Sequence, residues 1–391
     1  MRLTSTLVVV PILCYAIAST LVKASVVSAK GPIQIRVDAT DTVHKVFSVI
    51  EIIPLQGENS ITLLYPRWEI GSHAPTVTVA DLAGLELLLD GRPLRWRRDP
   101  LDVNAFHVSL PRNATTLEAH FQYLSPVSAG VMSRNIVQVR WEHMMLYPQG
   151  MKVNDIPVAA QLRLPAGFQA ASSLHVMKAA DNTIDYQMCP LSELADAPVV
   201  AGRFMSSWLL SADGAHPVRL DVVADKAKDL TVSPEQVEAL RKTVKLTNEM
   251  FGFVPFRHYD FLVSATDRLP NNGGNEHQES SEISLPADYF LSPEKYTSMA
   301  ASLFPHEYIH AWNGISHRPA GMVAPDFNTP MQDAMLWVYE GLTELLGLQI
   351  ARESGLISDR DYRGLLAIDA AEQSFRPGRR WCLKPDLFAS P

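Results

Sequence analysis

Two hydrophobic periods divide the chain. From about residue 32 to 225, short β-branched runs are separated by turn residues: IQIRV at 33–37, VFSVIEII at 46–53, LELLLDGRPLRW at 85–96, LEAHFQY at 117–123, AAQLRL at 159–164 and VRLDVVA at 218–224. Short runs of this kind, bounded by turn formers, predict strands with at least one buried face. Asp90-Gly91 sits between two runs, where a tight hairpin needs residues that accept positive backbone angles. The pattern predicts an N-terminal antiparallel β-sandwich or saddle domain over residues 30–228.

After residue 230 the period lengthens to that of helices. Ser233-Pro234-Glu235-Gln236 offers a capping hydroxyl, a proline at the first helical position and a glutamine at the third. A helix to about Phe251 follows, with Val237, Leu240, Val244 and Thr247 on one stripe. Ser292-Pro293 opens a second helix that runs through MAASLFPHEYIHAW, where Pro305 predicts a local kink. Thr329-Pro330-Met331-Gln332 repeats the capping pattern and predicts a third helix ending near Gly355, and Ser358 opens a fourth. Residues 229–391 are therefore read as a mainly α-helical domain.

The apolar second helix carries His306-Glu307-Tyr308-Ile309-His310, an HExxH motif. Helical positions four apart share a face, so both imidazoles reach one Zn²⁺ while Glu307 stands beside a metal-bound water as general base. With 12 histidines in 391 residues, chance supplies roughly 0.02 such matches. Two histidines and a water leave one ligand to find. Glu340, in WVYEG, is the candidate: the interval after His310 suffices to end one helix, cross a loop and bring a second helix back. Its neighbours Leu336, Trp337, Val338, Leu342, Leu345 and Leu346 are apolar, which predicts a buried carboxylate in need of a partner. Glu344, one turn on, is placed to accept a hydrogen bond from a ligand histidine. Asp333 and His317 receive no role, and His143, His258 and His277 lack ligand-like spacing.

Composition narrows the setting. Arg2, the apolar run Leu7–Ala18 and the small residues ending Val27-Ser28-Ala29 read as a secretory signal peptide over residues 1–29. Pro11 interrupts that run, which is too short to span a membrane, so export to a periplasmic or secreted location is expected, with no stable membrane insertion. Its removal takes Arg2 and Lys23 and shifts the net charge from −8 to −10, which argues against a nucleic-acid partner. Only Cys189 and Cys382 remain, either bridged or as free thiols, so no disulfide framework holds the fold.

Upstream of the zinc helix, NNGGNEHQESSEISL reads as a glycine-rich turn, with Glu276 in a loop that leads into a strand. Gly273 and Gly274 permit close approach of backbone to substrate. HExxH, the distal WxxEG glutamate and this GGxEH-like segment together resemble the glycyl aminopeptidase family of gluzincin metallopeptidases. YPRWEIGSHAP at 65–75, LADAPVVAGRF at 194–204 and HAWNGISHRPAG at 310–321 agree. The resemblance implies a thermolysin-like catalytic domain with zinc on His306, His310 and Glu340, one ion per chain. It also implies that Glu307 acts as base and that Glu276 holds a peptide's α-ammonium group, with Gly or Ala favoured at the N-terminus. Asn275 departs from the pattern, standing where an apolar residue is usual. Relatives of this kind continue into a C-terminal helical region and a PDZ domain; this sequence stops at Pro391, so the expectation covers the N-terminal and catalytic portions only. Two other readings stay open: a zinc endopeptidase, and a zinc- and peptide-binding protein without turnover.

Overall fold

The computed structural model describes residues 31–126, 130–211, 214–270, 273–292 and 298–376. The expected signal peptide and any Cys189–Cys382 pairing fall outside these residues, as does the second helix's expected start at Pro293. Among the described residues no helix is long and apolar enough to cross a membrane.

The N-terminal half is multi-sheeted, as the short runs predict. Its largest sheet runs in the order Val176–Ala180, Thr183–Tyr186, Pro157–Arg163, Ile33–Asp41, Val46–Pro54, Thr116–Leu124, Leu82–Leu89, Arg92–Leu94. The expectation of an antiparallel domain needs one correction. Ile33–Asp38 pairs in parallel with Val158–Arg163, because the segment between them is long enough to build other strands and return. Smaller sheets of four and three strands pack with it, and the alternation along Ile33–Asp41 and Thr116–Leu124 buries one face in a common core. The Asp90-Gly91 turn forms as expected, with φ of 50° and 73°, and joins Leu82–Leu89 to Arg92–Leu94.

The helical half contains a sheet of which the sequence pattern revealed only VRLDVVA and the strand after Glu276. Five strands lie in the order Phe204–Ser211, Val218–Ala224, Tyr259–Ala265, Ser280–Leu285, Gly274–Glu276, with both central pairings parallel. This sheet crosses the 228/229 boundary expected from the change of period. Tyr259–Ala265 is buried at every position, so its side chains show no alternation, as in strands covered on both faces. The Gly274–Glu276 edge strand corrects the reading of Glu276 as a loop residue.

Helix Pro234–Phe251 forms behind its predicted capping box: Ser233 Oγ accepts from the Gln236 amide at 3.2 Å and Gln236 Oε1 from the Ser233 amide at 2.8 Å. Val237, Leu240, Val244 and Thr247 are its buried stripe. Helix Ser298–Ile309 carries Pro305 inside it. The third helix starts later than expected and is broken, as Leu336–Tyr339 and Gly341–Ser354 with Glu340 at the joint. The box at Thr329 does not form because Asp326 Oδ1 accepts from the amides of Asn328 and Thr329 and folds the segment into a turn. The predicted ends at Gly355 (φ 88°) and Ser358 are in place, the latter opening Asp359–Phe375.

The two halves meet through a small apolar cluster of Ile136, Val200, Val223, Leu262 and Leu269. Gln138 donates to Ser264 Oγ at 3.0 Å, and Arg140 Nε donates to Glu282 at 3.0 Å across the same seam.

Candidate active site

The zinc motif occupies the end of helix Ser298–Ile309, where it packs on Gly341–Ser354. Gly347 makes this packing close, since a Cβ there would lie 3.2 Å from the His306 backbone. The joint at Glu340 turns its carboxylate towards both imidazoles. His306 Nε2 and His310 Nε2 are 3.1 Å apart, and Glu340 Oε2 lies 3.4 and 3.5 Å from them. A tetrahedral centre with bonds of ~2.0–2.2 Å has edges of about 3.4 Å, so these donors fit a zinc ion without rearrangement.

The remaining ring nitrogens are spoken for. His306 Nδ1 donates to Glu344 Oε2 at 3.0 Å, the role expected of Glu344, and His310 Nδ1 donates to the Asn313 carbonyl at 3.1 Å. Both contacts fix the tautomer that leaves Nε2 free for metal. The apolar residues expected to bury Glu340 do not do so: Trp337, Leu342 and Leu345 are exposed, and the Glu340 side chain is about a third exposed. Burial alone would raise the carboxyl, but hydrogen bonds from His306, His310 and His73 together outweigh it and hold the group well below the usual range.

Glu307 is buried against Gly274. Burial raises its carboxyl above the ordinary range although His306 and His310 pull the other way. Glu276 is 3% exposed, and its carboxylate, Glu307 and a His310 nitrogen lie within 4.8 Å of one another. Burial alone would raise Glu276, but the imidazoles of His310 and His73 hold it below the ordinary carboxylate value, which keeps it anionic. Gly273 adopts φ 78°, a left-handed conformation suited to glycine, and leads into the edge strand.

Two residues without a sequence-assigned role complete the site. Tyr339 donates from its hydroxyl to Glu276 Oε1 at 2.6 Å, and its ring packs on His310 at 5.0 Å. Gly314, with φ 125°, makes room for that ring, since a Cβ would come within 2.5 Å of it. His73 reaches in from the β domain. Its Nε2 donates to Glu340 Oε1 at 2.7 Å and lies 3.4 Å from Glu276 Oε1. Burial alone would lower its pKa; the two carboxylates raise it to about 10. Asn275 accounts for its own departure: it donates to the Ile70 carbonyl at 2.9 Å and holds the His73 loop, where a Cβ on Gly71 would strike it. His73 lay in the quoted YPRWEIGSHAP segment, and Tyr339 directly precedes Glu340; nothing in their spacing pointed inward. A cavity of about 600 Å³, lined by Trp68, Glu69, His73, Arg318 and Tyr339 among others, adjoins this side of the site. His277, without a role from sequence, is buried and pairs with Asp196 at 3.1 Å and Glu282 at 3.7 Å.

Solved structures share this architecture. An aminopeptidase N family protein from Idiomarina loihiensis superposes with a TM-score of 0.71 at 19% identity, covering 84% of this chain and 56% of that one. The chain thus spans a little over half the length of that structure. A mutant M1 zinc metallopeptidase from Deinococcus radiodurans, bound to a Tyr-Ser-Ala substrate, superposes with a TM-score of 0.51 at 14% identity over 88% of this chain and 74% of that one. No functionally curated protein matches the sequence. Two family models do: the peptidase M61 N-terminal domain over residues 34–203 and the M61 glycyl aminopeptidase over residues 299–385. Lying in order along the chain and between them taking in most of it, they show that this protein belongs to the M61 glycyl aminopeptidase family.

Proposed function

We propose that the chain is an exported zinc aminopeptidase with a thermolysin-like catalytic domain, which releases small N-terminal residues, Gly or Ala, from peptides. His306, His310 and Glu340 would hold one zinc ion, with Glu344 orienting His306. When bound, zinc lowers the pKa of a coordinated water and polarises the scissile carbonyl. Glu307, raised by burial, takes the proton of the attacking water and returns it to the leaving amine. Glu276, kept anionic and aimed by Tyr339, binds the substrate's ammonium group. Gly273 and Gly274 let the peptide backbone approach this edge.

The observation that carries the reading is the closeness of Glu276 to Glu307 and His310, all within 4.8 Å. An anionic anchor that near the reacting centre leaves space for one residue of substrate, which favours an aminopeptidase over an endopeptidase. The family's description as glycyl aminopeptidases supports the preference for small residues. The apolar N-terminal run supports export.

Hydrolysis of Gly- and Ala-nitroanilides tests the mechanism. Glu307→Gln should lower kcat by about 10²–10⁴-fold with zinc retained. Glu276→Ala should raise KM for free N-termini, and N-acetylated peptides should resist the wild type. Cleavage of acetylated peptides, indifferent to Glu276→Ala, would select the endopeptidase reading. Zinc and peptide bound without turnover would select the binding protein.

A further inference from the structure

A second polar cluster lies behind the wall of the site, between the loop that carries His73 and the turn Trp141–His143. Glu69, Glu142 and His143 are 7%, 2% and 9% exposed, and each offers a donor atom within 4.8 Å of the other two. Glu69 is partnered: Oε1 accepts from Arg140 at 2.6 Å and Oε2 from Thr76 at 2.8 Å. The others are not. Glu142 Oε2 and both ring nitrogens of His143 are buried without a hydrogen-bond partner among the described residues. Tyr65 Oη is committed to the His143 carbonyl at 2.9 Å, and the Tyr123 ring packs on the imidazole at 4.9 Å.

Charge points the same way. Arg140 bonds Glu69 and Glu282, and His277 faces Asp196 and Glu282, so the buried cations of this region have their partners. Glu69, Glu282 and Asp196 already share those two cations, so Glu142 adds a carboxyl group with no cation of its own. Burial first, then the Glu69 carboxylate, push its carboxyl up, and burial pushes His143 down to about 4, leaving a neutral imidazole with a free lone pair.

We propose that Glu69, Glu142 and His143 form a second, structural site for a divalent cation. One imidazole and two carboxylates suit Zn²⁺ or Mn²⁺. Bonds of ~2.0–2.2 Å are reached from donors spread over 4.8 Å by side-chain shifts of about an ångström or less. The ion gives the Glu142 oxygen and a His143 nitrogen the partner they lack. Glu69 lines the cavity beside His73, which provides an entry path. Occupancy ties the Glu69–His73 loop to the turn Trp141–His143 and so steadies the residues that the β domain sends to Glu276 and Glu340. The site uses none of the His306, His310 and Glu340 donors, and so stands independently of the proposed activity.

The full chain, equilibrated with Zn²⁺ and freed of excess by gel filtration, provides the test. Zinc counted by mass spectrometry should come to two ions per chain in the wild type and one in Glu142→Gln, a near-isosteric change. The His306→Ala, His310→Ala double variant should lose the other ion and keep this one. Anomalous diffraction at the zinc edge should place a peak among Glu69, Glu142 and His143, which needs no variant to fold. Density there without anomalous signal, a buried water against a protonated Glu142, overturns the proposal. So does a zinc count that Glu142→Gln leaves unchanged.

Discussion

Gly274 shows how tightly single residues constrain the chemistry. A Cβ there would lie 2.0 Å from Glu307 Oε1 and 2.4 Å from its Cδ, so any larger residue displaces the proposed base or the edge strand. Gly274→Ala should lower kcat by about 10²-fold, the cost of misplacing a reacting group by an ångström, while zinc content stays unchanged. An unaltered kcat would show that Glu307 acts from another position. Tyr339→Phe removes the hydroxyl at 2.6 Å from Glu276 and leaves a buried carboxylate short of one donor. A loss near 1.4 kcal/mol predicts about a tenfold rise in KM for peptides with free N-termini and little change in kcat. Steady-state kinetics on Gly-nitroanilide separate the two. At this scale the pairing of His306 with His310 was legible, because i and i+4 on a helix fix a shared face. His73 was not, because nothing local tells a loop histidine in the β domain what it will face.

At the scale of elements, caps were more legible than cores. Ser233 and Gln236 exchange both capping bonds, so Ser233→Ala should cost about 1 kcal/mol, read as a lowered urea midpoint with unchanged slope. An unchanged midpoint would mean the helix end is held by packing alone. Thr329 failed as a cap although it carries the same pattern, since Asp326 three residues earlier competes for its amide. The consequence is functional. The helix opens at Leu336 and breaks at Glu340, and that joint delivers the carboxylate to the histidines. Tyr259–Ala265 escaped notice for a different reason: a strand covered on both faces has no period to read.

At the scale of the whole molecule, a buried ionic chain of Glu69, Arg140, Glu282, His277 and Asp196 joins the β domain to the sheet under the site. Burial alone would lower the pKa of His277, but Asp196 and Glu282 outweigh it and raise it to about 10. A histidine raised in the folded state contributes stability that is complete below its unfolded value of ~6.5 and fades as pH climbs through the folded one. The difference in urea stability between wild type and His277→Gln should therefore be largest at acid pH and close above about pH 10. A gap that stays constant across that range would count against the pairing. The sequence by itself determined the HExxH motif, the helix ends at Ser233, Gly355 and Ser358 and the strand-rich first half, because each depends on spacing or contacts within a few residues. Only the tertiary structure decided that His73, Tyr339 and Glu276 meet around Glu340, and that Glu142 and His143 are buried together beside Glu69. Those encounters depend on how two domains pack, and residues 267 positions apart, as His73 and Glu340 are, leave no periodic trace of their contact.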